Sequence, residues 1–139
     1  IAGYVPQNNR SQLTVTENNK LIVDAYNANP TSMKAALDNF ALVKADDKVL
    51  ILGDMRELGE SSREEHINTI NQIKGYGFTD VYLVGSEFAQ AQADLTTAYH
   101  LYNNIEELID YVKKSPLQGN TILIKGSNSI GLTKITDYL

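Results

Sequence analysis

Apolar positions along this chain follow two periods that alternate. Residues 12–17 alternate, with Leu13 and Val15 set against Thr14 and Thr16, and Asn18-Asn19 is a turn signal before a second extended run over 20–25. This predicts a β-hairpin at the start of the fold. Asn29 suits a helix N-cap and Pro30 the first helical position. Met33, Ala36, Leu37, Phe40, Ala41 and Val43 follow at helical spacing, and Ala45-Asp46-Asp47 ends that helix.

Val49-Leu50-Ile51-Leu52, Val81-Tyr82-Leu83-Val84 and Ile122-Leu123-Ile124 are continuous apolar runs. Such runs mark strands covered on both faces, as in parallel sheets. Gly53, Gly85 and Gly126 punctuate their ends. Between them, Ile67, Ile70 and Ile73 predict a helix, opened by a capping box from Ser62 to Glu65 and closed by Gly75 and Gly77. A short helix is predicted from Ser86 toward Ala93, and a weaker strand over 99–102. Asn104 with Glu107 caps a helix carrying Ile105, Leu108, Ile109 and Val112, which Pro116 and Gly119 break. Leu132, Ile135 and Leu139 predict a terminal helix. A hairpin followed by alternating helices and strands argues an α/β fold: an open, mainly parallel, Rossmann-like sheet flanked by helices.

A length of 139 residues fits one domain with its own core. A net charge of −5 with scattered basic residues argues against a nucleic-acid partner. No apolar run is long enough to span a bilayer. The absence of cysteine removes disulfides, thiolate metal sites and a cysteine nucleophile, and fits a cytoplasmic protein. His66 and His100 lack a second histidine at ligand spacing, so no metal site is expected. The chain starts at Ile1, which suggests a piece of something longer.

In open α/β sheets ligands bind at the carboxyl ends of the strands. Asp24, Asp54 and Lys125 all stand at predicted strand ends, so one edge should carry them together. The turn Asp24-Ala25-Tyr26-Asn27-Ala28-Asn29-Pro30 delivers a carboxylate, a phenol and two amides to a helix N-terminus, where backbone N–H groups lack partners. Asp24 could accept from a ribose diol, Tyr26 could stack on a base, and Asn27 or Asn29 could position it; the plainer reading is a strand-to-helix turn built for capping. The loop Gly53-Asp54-Met55-Arg56-Glu57-Leu58-Gly59 could hold a substrate ammonium through Asp54 or Glu57, or be only a solvated connection. Amides of Lys125-Gly126-Ser127-Asn128 could meet a carboxylate. Arg10 could reach a phosphate, or be a surface charge. Gly-x-x-x-x-Gly-Lys-Ser/Thr occurs nowhere, so an ATP-using protein would need its main phosphate cradle elsewhere.

Three segments, Asp24-Ala25-Tyr26-Asn27-Ala28-Asn29-Pro30, Leu52-Gly53-Asp54-Met55-Arg56-Glu57-Leu58-Gly59 and Ile124-Lys125-Gly126-Ser127, occur in this order and together resemble the C-terminal domain of the Mur ligase family. The resemblance covers nearly the whole chain. It implies one domain, residues 1–139, of a three-domain enzyme of peptidoglycan synthesis. Such an enzyme uses ATP and Mg2+ to join D-alanyl-D-alanine to UDP-N-acetylmuramoyl-tripeptide, with a central domain holding most of the nucleotide and the metal. It implies a nucleotide-binding set of Arg10, Asp24, Tyr26, Asn27 and Asn29. It also implies a dipeptide-binding set of Asp54, Met55, Glu57, Lys125, Gly126, Ser127 and Asn128. No catalytic residue is expected in this segment. Two other readings stand beside it: the same domain in a folylpolyglutamate or cyanophycin synthetase type of amide ligase, and a non-enzymatic α/β binding module.

Overall fold

The computed structural model describes residues 11–24, 29–45, 47–56, 58–93, 99–126 and 131–139. Among the described residues six strands form one sheet: β1 (Ser11–Val15), β2 (Lys20–Asp24), β3 (Lys48–Gly53), β4 (Asp80–Val84), β5 (His100–Tyr102) and β6 (Thr121–Lys125). Their spatial order is β1-β2-β6-β3-β4-β5. Only β1 runs antiparallel, pairing with β2 as the predicted hairpin; every other pair is parallel. The helices are α1 (Pro30–Leu42), α2 (Ser62–Tyr76), α3 (Ser86–Ala93) and α4 (Ile105–Lys114).

Alternation along each strand separates two cores. Leu50, Leu52, Val81, Leu83 and Leu123 pack against Met33, Leu37 and Phe40 of α1, Ile70 and Ile73 of α2, and Phe88 of α3. Leu21, Val23, Val49, Ile51, Tyr82, Val84, Ile122 and Ile124 face the other way, onto Ile105, Leu108, Ile109 and Val112 of α4 and onto Leu132, Ile135 and Leu139. β3, β4 and β6 are therefore apolar on both sides, which is why they read as unbroken apolar runs.

Helix ends follow local chemistry. Asn29 caps α1 by accepting from Ser32 N–H at 2.8 Å, with Ser32 Oγ answering the Asn29 N–H at 3.1 Å. At the other end Lys48 Nζ donates to the carbonyls of Phe40, Ala41 and Val43 and lies over the rings of Phe40 and Phe78. A cation there satisfies orphan carbonyls and the helix dipole together. Asn104 caps α4 as expected, accepting from Glu107 N–H at 3.0 Å.

Two expectations need correction. The capping box from Ser62 to Glu65 does not form. A 3-10 turn, Gly59–Ser61, runs straight into α2, so Ser61 and Ser62 already have helical dihedrals and make no side-chain cap. Ser62 Oγ donates instead to Glu87 Oε1. The terminal helix is a 3-10 helix, Leu132–Tyr138. Three residues per turn bring Leu132 and Ile135 onto one side, toward the sheet.

The hairpin turn does more than reverse the chain. Asn19 is 4% exposed. Its Nδ2 donates to the carbonyls of Leu117 and Leu139, both at 2.8 Å, and its Oδ1 accepts from Asn120 N–H at 3.1 Å. Thr16 Oγ1 also donates to the Leu139 carbonyl, at 2.8 Å. Asn19→Ala strips partners from one buried and two half-buried backbone groups, a buried one costing about 1–3 kcal/mol when unsatisfied. The expected loss is about 3 kcal/mol in urea unfolding, and a loss below about 1 kcal/mol would show the clamp to be incidental.

Candidate functional site

The carboxyl edge of the sheet is where the chain changes sides. After β3 it passes to α2 on one face; after β6 it passes to the 3-10 helix on the other. That divergence marks a switch point between neighbouring strands, the usual ligand position in open α/β folds. Asp24, Lys125, Gly126, Gly53 and Asp54 stand around it, as the sequence predicts.

This edge is shaped by close backbone approach. A Cβ on Gly126 would lie 2.7 Å from Leu132 Cδ1 and 2.9 Å from Gly53 Cα, so no side chain fits there. Gly85, with φ of 121°, leaves room for the Asp54 carboxyl group, which occupies the space a Cβ would need.

Asp24 and Lys125 end adjacent parallel strands in register. Lys125 Nζ donates to Asp24 Oδ2 at 2.8 Å, with Lys125 1% and Asp24 8% exposed. Asp24 Oδ1 is buried and accepts no hydrogen bond among the described residues. An unsatisfied buried acceptor costs about 1–3 kcal/mol, so it is a place where a ligand hydroxyl or N–H would be favoured.

Asp54 is placed differently from the expected ammonium ligand. It is fully buried, and its carboxylate accepts from the backbone N–H groups of Glu87 and Phe88, both at 3.0 Å. It caps α3 across the loop. Met55 is 1% exposed, and its N–H donates to His66 Nε2 at 3.0 Å. That bond puts the ring hydrogen on Nδ1, 2.6 Å from the Ser62 carbonyl. His66 is itself fully buried and edge-on to Phe88. Asp54 and His66 therefore pin the first residues of the loop, leaving Arg56 exposed at its outer side. His66 was not read from the sequence as a site-shaping residue; its signal is its place in one stripe of α2 with Ile70 and Ile73.

Of the other expected site residues, Asn29 is exposed and uses its Oδ1 to cap α1. Arg10, Tyr26, Asn27, Glu57, Ser127 and Asn128 lie outside the described residues. Among the described residues no group of three or more His, Cys, Asp or Glu is placed to hold a metal ion. No helix there is long and apolar enough to cross a membrane.

Residues 9–128 match the profile of the family described as Mur ligase, glutamate ligase domain. The chain belongs to that family. One similar relative of this Mur ligase domain is the UDP-N-acetylmuramoyl-tripeptide–D-alanyl-D-alanine ligase of Rickettsia prowazekii, 39% identical over 132 residues, covering 93% of this chain and 29% of the relative. The ligase of the same name from Bacillus subtilis is 31% identical over 140 residues, covering 94% and 30%. Among solved structures, MurF from Acinetobacter baumannii superposes with a TM-score of 0.78 at 26% identity, over 96% of this chain and 30% of that one. MurF ligase from Thermotoga maritima in complex with ADP has the same fold, with a TM-score of 0.74 at 20% identity over 97% and 30%. The chain spans about three-tenths of the length of the curated relatives it matches.

Burial raises the Asp54 carboxyl above its ordinary 3.8, against the two backbone N–H bonds and, more weakly, His66 and Arg56, which pull it down. The native Mur ligase domain then holds this proton more tightly than the unfolded chain. Asp54's contribution therefore favours the native state below the unfolded value and is lost as pH rises through the folded one. In Asp54→Asn that slope disappears. The stability gap between native protein and variant, read from urea midpoints, is expected to shrink as pH rises above the ordinary carboxylate range; a constant or widening gap would refute the assignment. His66→Ala leaves the buried Met55 N–H without an acceptor and opens a cavity, an expected loss of about 3 kcal/mol by thermal unfolding. A loss below about 1 kcal/mol would show that the pin carries little.

Proposed function

We propose that this chain is the C-terminal domain of an ATP-dependent cytoplasmic ligase that joins D-alanyl-D-alanine to UDP-N-acetylmuramoyl-tripeptide in peptidoglycan synthesis. The observation that carries the reading is the 39% identity to a ligase of that name over 93% of the chain. The loop from Gly53 to Gly59 favours this substrate over those of folylpolyglutamate or cyanophycin synthetases.

The chemistry divides between domains. ATP phosphorylates the terminal carboxylate of the tripeptide, releasing ADP. The dipeptide amine attacks the acyl carbon, the C–O bond to phosphate breaks, and the amine proton is lost. With no P-loop sequence in this chain, the triphosphate and Mg2+ fall to a central domain. This domain contributes a lid. Closing it brings the amine and the acyl phosphate together and keeps water from the activated carboxyl group.

Asp24 suits the nucleotide: its Oδ1 is a buried acceptor lacking a donor, and a ribose hydroxyl supplies one. Arg10, Tyr26 and Asn27 belong to the same half of the site by sequence. Glu57, Ser127 and Asn128, with the backbone of Gly126, are proposed for the dipeptide. Asp54 and Met55 serve that half by fixing its loop from within.

The test is the intact enzyme containing this chain, assayed for phosphate release dependent on all three substrates. Asp24→Ala is expected to raise the ATP KM about tenfold while the dipeptide KM holds. An ATP KM and turnover equal to those of the unaltered enzyme would remove Asp24 from the nucleotide site. Absence of ligation with D-alanyl-D-alanine, alongside ligation of another amine, would overturn the substrate reading.

A further inference from the structure

The Asp24–Lys125 pair is more than a structural contact at the end of two strands. Lys125 is 1% exposed, in a strand whose other residues from Ile122 to Ile124 are apolar and buried. Burying a lysine and a carboxylate strips both of water, and a well-packed apolar pair of similar size would serve stability as well or better. What an apolar pair cannot do is aim a carboxylate. Lys125 Nζ engages Oδ2 at 2.8 Å and leaves Oδ1 with no partner among the described residues. The strand register holds the pair in place: Asp24 sits opposite Lys125 on one side of β6, and Leu52 opposite it on the other. Gly126 then packs against Gly53, so the end of β6 has little room to shift.

We infer that Lys125 is a positioning residue for the nucleotide and not a dipeptide ligand: it holds Asp24 so that Oδ1 stays free and aimed for a ribose hydroxyl. This rests on the proposed reading of Asp24 as the ribose acceptor. It moves Lys125 from the dipeptide half of the site to the nucleotide half. One ammonium hydrogen bond fixes the rotamer of the carboxylate and keeps its negative charge where the hydroxyl arrives. The hydroxyl then meets an oriented, charged acceptor instead of a mobile one.

The test uses the intact enzyme with ATP, 2′-deoxy-ATP and 3′-deoxy-ATP. Removing the recognised hydroxyl should lower kcat/KM of the unaltered enzyme about tenfold. In Lys125→Met the ATP KM is expected to rise about tenfold, the dipeptide KM to stay within about twofold, and discrimination between ATP and the sensitive deoxy analogue to fall toward one. Asp24→Ala should show the same loss of discrimination, and Lys125→Arg should restore much of it. If the methionine variant does not fold, Lys125→Gln keeps a donor without the charge, and its discrimination should fall less steeply but clearly. A raised dipeptide KM with an unchanged ATP KM would return Lys125 to the dipeptide site. Equal losses for ATP and both deoxy analogues would reduce Lys125 to a structural role. An unaltered enzyme indifferent to both hydroxyls would remove the ribose reading of Asp24 and this inference with it, while normal ligation in that experiment would leave the proposed overall reaction standing.

Discussion

Gly126 lies against the backbone of Gly53, and the arrangement of the whole carboxyl edge depends on that approach. Parallel strands are held about 4.8 Å apart by their ladder, but nothing in the ladder dictates what happens after its last pair. Here two residues without side chains let the chains stay close as they turn to opposite faces of the sheet. Leu132 closes the space behind Gly126. Asp24 and Lys125 can then meet at one end of β6 while Asp54 turns inward at the end of β3.

The two aspartates show how one residue type takes different roles at equivalent positions. Asp24 is the last residue of β2, and Asp54 directly follows β3. Asp54 finds two backbone donors at the start of α3, because Gly85 leaves room for its carboxyl group, and both its oxygens are satisfied. Asp24 finds a single ammonium, and one oxygen is left over. The first arrangement is complete and fixes a loop. The second is incomplete and leaves an acceptor open.

Much of the scaffold was legible because burial on both faces writes itself into sequence as unbroken apolar runs, such as those at 49–52 and 122–124. The glycines ending those runs marked where strands stop. The shared edge of Asp24 and Lys125 followed from their places at the ends of strands read as parallel. Asp54 was harder. A charged βα loop reads the same whether its carboxylate faces water or caps a distant helix, and the difference lies in space left by Gly85. The Ser62 box failed for a related reason: a preceding 3-10 turn had already set the helical dihedrals. His66 was hidden because a single polar residue in an apolar stripe carries no sign of the backbone group it serves.

Outer hairpins of a sheet ordinarily fray, since one strand has a neighbour on a single side. Asn19 changes that by tying the β1–β2 turn to Leu117, Asn120 and Leu139, which come from the far end of the sequence. The first strands cannot peel away without releasing the last ones. Amide protons of the hairpin then exchange with solvent chiefly when the sheet opens as a unit, so the margin of the sheet is as resistant to local opening as its centre.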